Sequence, residues 1–120
     1  MLTTPSPSTS NPKFMKNFFT ELPNAKHEEI FQTLLAQPNL KIERIISNGQ
    51  SSPADHWYDQ EQAEWIMLIQ GEAGIEFKGE QAIALKPGDY LNIPAHQQHR
   101  VAWTKKDATT LWLAIHYTAT

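Results

Sequence analysis

The stretch Pro87-Gly88-Asp89-Tyr90-Leu91-Asn92-Ile93-Pro94-Ala95-His96-Gln97-Gln98-His99-Arg100-Val101 decides how the rest of the chain is read. Pro87-Gly88-Asp89 is a turn, because proline presets one dihedral angle and glycine tolerates positive φ. A strand, Tyr90 to Ile93, follows and is stopped by Pro94, which cannot donate to a sheet ladder. A tight loop then carries His96 and His99, and Val101-Ala102-Trp103 starts the next strand. Strand alternation puts His99, Val101 and Trp103 on one face and Arg100 and Ala102 on the other. One imidazole therefore leaves a turn among bulky apolar neighbours, where a site can be built.

Outward from this stretch the periodicity is that of strands. Leu40 to Ser47 alternates loosely and ends at Asn48-Gly49, a strong turn signal. Gln50 to Asp55 is a polar loop. Glu64 to Gln70 holds the apolar run Trp65-Ile66-Met67-Leu68-Ile69, which suits a strand covered on both faces. Gly71 closes it, Ala73 to Phe77 returns, and Gly79 turns the chain into Ala82 to Leu85. Thr109 to Tyr117, rich in β-branched and aromatic residues, is the last strand. Short strands with turns between them predict an all-β fold, an antiparallel sandwich or barrel. Before it, Ala25 to Gln37 has helical spacing: Ile30, Leu34 and Leu35 share a face, Asn24 suits the N-cap, and Glu28 and Glu29 suit the first turn. The expected organisation is a disordered Ser/Thr/Pro-rich tail at 1–13, a helical segment at 14–38 and a β-barrel at 39–120.

The chain has 120 residues, 40% of them apolar, and a net charge of -3. That suits one domain with a real core. No Lys/Arg cluster argues for nucleic acid, and no apolar run approaches the roughly 18 residues of a membrane span. The first residues lack the basic start and apolar stretch of a secretory signal. There is no cysteine, so disulfides and thiolate chemistry are excluded. A cytoplasmic location is the default expectation.

The polar groups worth weighing are His56, Asp59, Glu64, His96, His99 and His116. Glu64 opens the most apolar strand and shares its face with Ile66 and Leu68. Either it caps that strand at the solvent edge or something pairs with it, because a lone buried carboxylate is costly. His99 is either a core histidine with a backbone partner or a ligand. An imidazole and a carboxylate on inward faces of facing strands are adequate ligands for zinc, iron, manganese or nickel. His116, in phase with Trp112 and Ala114, reads as a satisfied core histidine. Arg100, on the opposite face, reads as an ion-pair partner.

Gly88, five residues, Pro94, one residue, His96, two residues and His99 resemble the second conserved motif of the cupin superfamily. Glu64, six residues and Gly71 resemble the closing half of the first motif. Two positions depart from the pattern: His96 stands where a glycine is usual, and Trp103 where an asparagine is usual. The resemblance, from about Leu40 to Tyr117, implies a small antiparallel jelly-roll β-barrel. It also implies a divalent metal held by two histidines one residue apart, a glutamate and a histidine. Glu64 and His99 fill the last two places. The histidine pair has no clean match: counting gives Trp57 and Asp59, or Asp55, or His56 and Tyr58. So His56 is the third ligand, or Asp59 replaces a histidine with a carboxylate, or no tight metal is held. An Asp59–Glu64 pair would favour manganese or iron over zinc. His96 at the barrel mouth is a candidate proton carrier, and Trp103 has the parity to line the pocket.

Two functional readings follow. One is a metal-dependent, dioxygenase- or isomerase-like enzyme acting on a small molecule. The other is a non-catalytic binding or sensor cupin without a tight metal. Resemblance to small cupins also implies a homodimer, with Leu40 to Ser47 the expected edge strand.

Overall fold

A computed structural model describes residues 13–118. The expected tail lies almost wholly outside the described residues. The described residues form eight strands: β1 (Ile30–Gln37), β2 (Leu40–Ser47), β3 (Ala63–Gln70), β4 (Ala73–Phe77), β5 (Ile83–Leu85), β6 (Tyr90–Ile93), β7 (His99–Thr104) and β8 (Thr110–Tyr117). They form a five-stranded sheet in the order β1-β2-β8-β3-β6 and a three-stranded sheet in the order β5-β4-β7, with every strand pair antiparallel. This is the antiparallel jelly-roll barrel that the cupin resemblance implies, one of the two architectures, sandwich or barrel, that the strand pattern allows. No helix among the described residues is long and apolar enough to cross a membrane.

The segment expected to be helical is not. Ile30–Gln37 pairs with β2 as a hairpin closed through Gln37 and Leu40. A register shift between Thr33 and Leu35 inserts one residue into the alternation. That bulge puts apolar residues at 30, 34 and 35, a spacing that imitates one face of a helix. Asn24 caps nothing; its side-chain oxygen accepts from the Lys26 N–H in a local turn. Nor is Leu40–Ser47 an edge: β2 lies between β1 and β8, and β1 and β6 are the edges of this sheet.

The core lies between the sheets. Ile66, Leu68, Ile75, Leu85, Ile93 and Trp112 are all buried there, with Leu68 wholly inaccessible. Burying a side chain of that size stabilises the fold by about 2 kcal/mol. A second cluster, Ala25, Ile46 and Leu111, lies outside the large sheet under Phe18. Arg44 holds this cover down, its guanidinium donating to the carbonyls of Phe18, Thr20 and Glu21 and to Gln32. The Pro87-Gly88 turn forms as expected, with Gly88 at φ 95° and its N–H donating to the Leu68 carbonyl.

Candidate functional site

A cavity of about 260 Å³ opens between the sheets. Its apolar walls include Ile45, Ile66, Ile75, Ile93, Val101 and Trp112, and its polar wall includes Tyr58, Gln60, Glu64, His99 and His116, with Glu29, Lys41 and Glu43 towards β1 and β2.

Sheet register assembles the polar wall. Glu64 on β3 stands opposite His116 on β8, and His116 stands opposite Lys41 on β2. All three share the inner face of the large sheet, as does Glu43, two residues beyond Lys41. His99 faces them from β7. The side chains join into one chain of contacts. Glu64 Oε1 lies 3.4 Å from His99 Nε2, and Glu64 Oε2 lies 3.7 Å from His116 Nε2. His116 Nε2 lies 2.8 Å from Glu43 Oε1, and Glu43 Oε2 lies 3.5 Å from Lys41 Nζ. Each carboxylate thus turns one oxygen to each neighbour. This is how Glu43 and Glu64, both 8% exposed, are tolerated among apolar walls.

His99 is held in one orientation. Its Nδ1–H donates to the Gln97 carbonyl at 2.8 Å, which leaves Nε2 directed at Glu64. Its ring packs beside those of Tyr58 and Phe77, with centroids 5.7 Å and 6.4 Å away. Burial acts to lower its pKa, but the Glu64 carboxylate and the Gln97 carbonyl together outweigh burial and raise it above the ordinary histidine value. Glu29, donated to by the Ser47 hydroxyl, is pushed up by burial, which outweighs the opposing effect of that hydrogen bond.

The structure brings Glu64 and His99 together, and it places His56 and Asp59 elsewhere. His56 is exposed, edge-on to Tyr58 with centroids 5.0 Å apart. Asp59 is also exposed and meets His96 Nδ1 at 2.8 Å. Between and beyond them, Tyr58 and Gln60 alternate into the cavity lining. The two positions one residue apart that face the cavity therefore hold a phenol and an amide. His96, in the place where a glycine is usual, has φ 64° and an exposed side chain. His96 is tied to the same segment by its own N–H, which donates to the Gln60 carbonyl.

Trp103 does not line the cavity. A register shift between Gly74 and Ile75 leaves Ala102 unpaired, which flips the alternation after Val101 and turns Trp103 outward. Arg100 pairs with Glu76 at 2.6 Å, as its parity suggested. Sequence reading missed Lys41, Glu43 and Gln60, reached Tyr58 only as a counted position of the histidine pair, and discounted His116. Two buried polar atoms of cavity-lining residues have no hydrogen-bond partner among the described residues: Gln60 Oε1, an acceptor, and Trp112 Nε1, a donor.

Among solved structures, a protein from Ralstonia eutropha JMP134, provisionally named a mannose-6-phosphate isomerase, is 51% identical, covering 90% of this chain and 100% of its own, with a TM-score of 0.84. A cupin superfamily protein from Desulfitobacterium hafniense DCB-2 is 22% identical over 90% of this chain and 94% of its own, with a TM-score of 0.73. The DMSP lyase DddQ from Ruegeria pomeroyi DSS-3 is 18% identical over 74% of this chain and 46% of its own, with a TM-score of 0.63. These last two share the fold alone. No curated protein sequence matches the chain. A family model for the cupin domain matches residues 43–116, spanning β3 to β7, more than half of β2 and nearly all of β8, and the chain belongs to the cupin superfamily.

Proposed function

We propose that this protein is a small-molecule enzyme that moves a proton within the barrel cavity, and that its reaction is an isomerisation. The observation that carries this reading is the contact chain His99–Glu64–His116–Glu43 in an otherwise apolar pocket. Two imidazoles on either side of one carboxylate can take a proton from one atom of a substrate and return it to another. His99 is the acid–base group nearest the small sheet, and Glu64 balances the charge its ring gains. His116, backed by Glu43, is the second group. Isomerisation by proton transfer consumes no redox partner, and the name of the Ralstonia relative points to the same class.

Metals are common among cupins, but the donor set here does not fit a tightly held divalent ion such as zinc, iron, manganese or nickel. Glu64 and His99 are two ligands where a closed site needs four. The neighbouring cavity positions hold Tyr58 and Gln60, and His116 Nε2 is already engaged by Glu43. Among the described residues no group of three or more His, Cys, Asp or Glu side chains could hold a metal ion.

The cavity also selects against anions. Its lining carries the carboxylates of Glu29, Glu43 and Glu64, and its lysine, Lys41, is paired with Glu43. A phosphate group would find repulsion there and no free cation. The substrate is therefore an uncharged carbonyl compound of the size of a small sugar. Neutral aldoses, ketoses and hydroxyketones incubated in D₂O should gain carbon-bound deuterium with wild type and not with His99→Gln, by proton NMR. Exchange that survives His99→Gln and Glu64→Gln, or efficient turnover of mannose 6-phosphate, would overturn the reading.

One observation favours a second reading, a non-catalytic binding module. The unpartnered Gln60 acceptor and Trp112 donor suit a polar ligand held without chemistry. In that case Glu64→Ala would shift ligand affinity and no deuterium would enter any ligand.

A further inference from the structure

The cavity has a second polar end that the contact chain from His99 to Glu43 does not use. Glu43, Ile45 and Ser47 follow one another along the inner face of β2. Glu29 precedes the Ile30–Ile46 pair by one residue and so comes level with Ser47. Between the Glu43 and Ser47 rows, register sets Phe31, Ile45 and Trp112 side by side across β1, β2 and β8, all three on the cavity wall. From Glu43 to Ser47 the strand advances about 13 Å. An apolar stretch of wall therefore separates Glu29 from the groups proposed to move the proton.

Glu29 is half-buried and lines the cavity. Its Oε2 accepts from the hydroxyl of Ser47, which is wholly inaccessible, and its Oε1 receives no hydrogen bond from any described residue. A glutamine would accept from Ser47 equally well. Burial outweighs that bond and raises the pKa of Glu29, so the ionised carboxylate is held there at a cost to the fold. A ligand donor at Oε1 would restore what burial takes away. We propose that Glu29 recognises a hydroxyl at the end of the substrate remote from its carbonyl, which makes the substrate a polyhydroxy compound rather than a simple ketone. Which end lies at Glu29 rests on the proton-transfer reading, which sets the carbonyl beside His99 and Glu64. A hydroxyl can donate to a carboxylate and accept from a carboxyl, so it suits Glu29 in either protonation state. A phosphate in the same place would meet the Glu29 charge.

Dissociation constants of D-mannose and 6-deoxy-D-mannose, measured by isothermal titration calorimetry on the full chain, test this. Wild type should bind the first roughly tenfold or more tighter, the worth of a hydrogen bond to a charged group. Glu29→Leu should bind the two sugars alike. Glu29→Gln still accepts from Ser47, so it carries the test if Glu29→Leu fails to fold by circular dichroism, and it should cut the preference at least roughly threefold. Deuterium exchange on the same samples reports on the proton-transfer reading alone. A Glu29-dependent preference without exchange would sink that reading and uphold this one. A wild type that binds the two sugars equally, or binds neither, or a preference that survives in both variants, would each overturn the inference.

Discussion

Glu64 and His116 stand directly opposite each other on neighbouring antiparallel strands, and Glu64 reaches His99 across the barrel with its other oxygen. One carboxylate therefore couples two imidazoles that lie on different sheets. The position of Glu64 in the chain makes it the residue on which the proposed chemistry depends most.

Glu64→Gln keeps the shape of that side chain and removes its charge. Deuterium exchange should fall by up to about 10² to 10⁴, the usual worth of the acid–base catalysis by His99 and His116 that this carboxylate supports. His116→Gln should lower exchange too, while leaving His99 bound to the Gln97 carbonyl. Activity retained in Glu64→Gln would mean that the chemistry lies elsewhere.

The raised pKa of His99 predicts how stability depends on pH. The folded state favours protonated His99 more than the unfolded state does. Its contribution is thus fully present below the ordinary histidine value of about 6.5 and is lost as pH rises through the higher folded value. Denaturant midpoints for wild type should fall across that window, and His99→Gln should flatten the profile there.

Glu29 acts with the same sign at lower pH. Burial raises its pKa, so the folded state favours the protonated carboxyl, and stability declines as pH rises from about 4.5 through the folded value. Glu29→Gln should therefore raise the melting temperature at pH 7 by a few degrees. The gain should shrink as pH approaches 4. A lowered melting temperature at pH 7 would show that the Ser47 hydrogen bond outweighs burial.

His96 holds a left-handed backbone conformation in a residue with a Cβ, which costs roughly 1 kcal/mol. His96→Ala keeps that strain and loses the Asp59 contact, so it should destabilise the fold. His96→Gly removes the strain and should be more stable than His96→Ala by about 1 kcal/mol in urea unfolding.

Metal content separates the proton-transfer reading from the family's metal chemistry. Protein purified without an affinity tag should carry far less than one transition metal per chain. A chelator should change neither exchange activity nor melting temperature. A near-stoichiometric metal that disappears in His99→Ala would reverse this.

Much of the fold was legible in the residues themselves, because turns and strand limits are local. Pro87-Gly88, Gly71 and Pro94 mark where strands stop, and β3, β4, β6 and β8 lie within a residue of where periodicity puts them. Glu64 and His99 stood out because each is a polar group in an apolar strand context. Two bulges defeated the same reasoning. One made β1 look helical, and the other turned Trp103 outward.

The sequence by itself determined an all-β chain, its turns, and a glutamate and a histidine fit to meet inside a barrel. Only the tertiary structure decided what joins them. Lys41 and Glu43 alternate with Ile42 and Arg44, and nothing in that alternation says which face is inward until β8 pairs alongside. Tyr58 and Gln60, rather than His56 and Asp59, reach the cavity because the segment is set by its bridge to His99 and by the His96–Gln60 backbone bond. Local sequence sets the period of a strand. Its phase relative to the core is a long-range property, fixed by pairing partners far away in the chain.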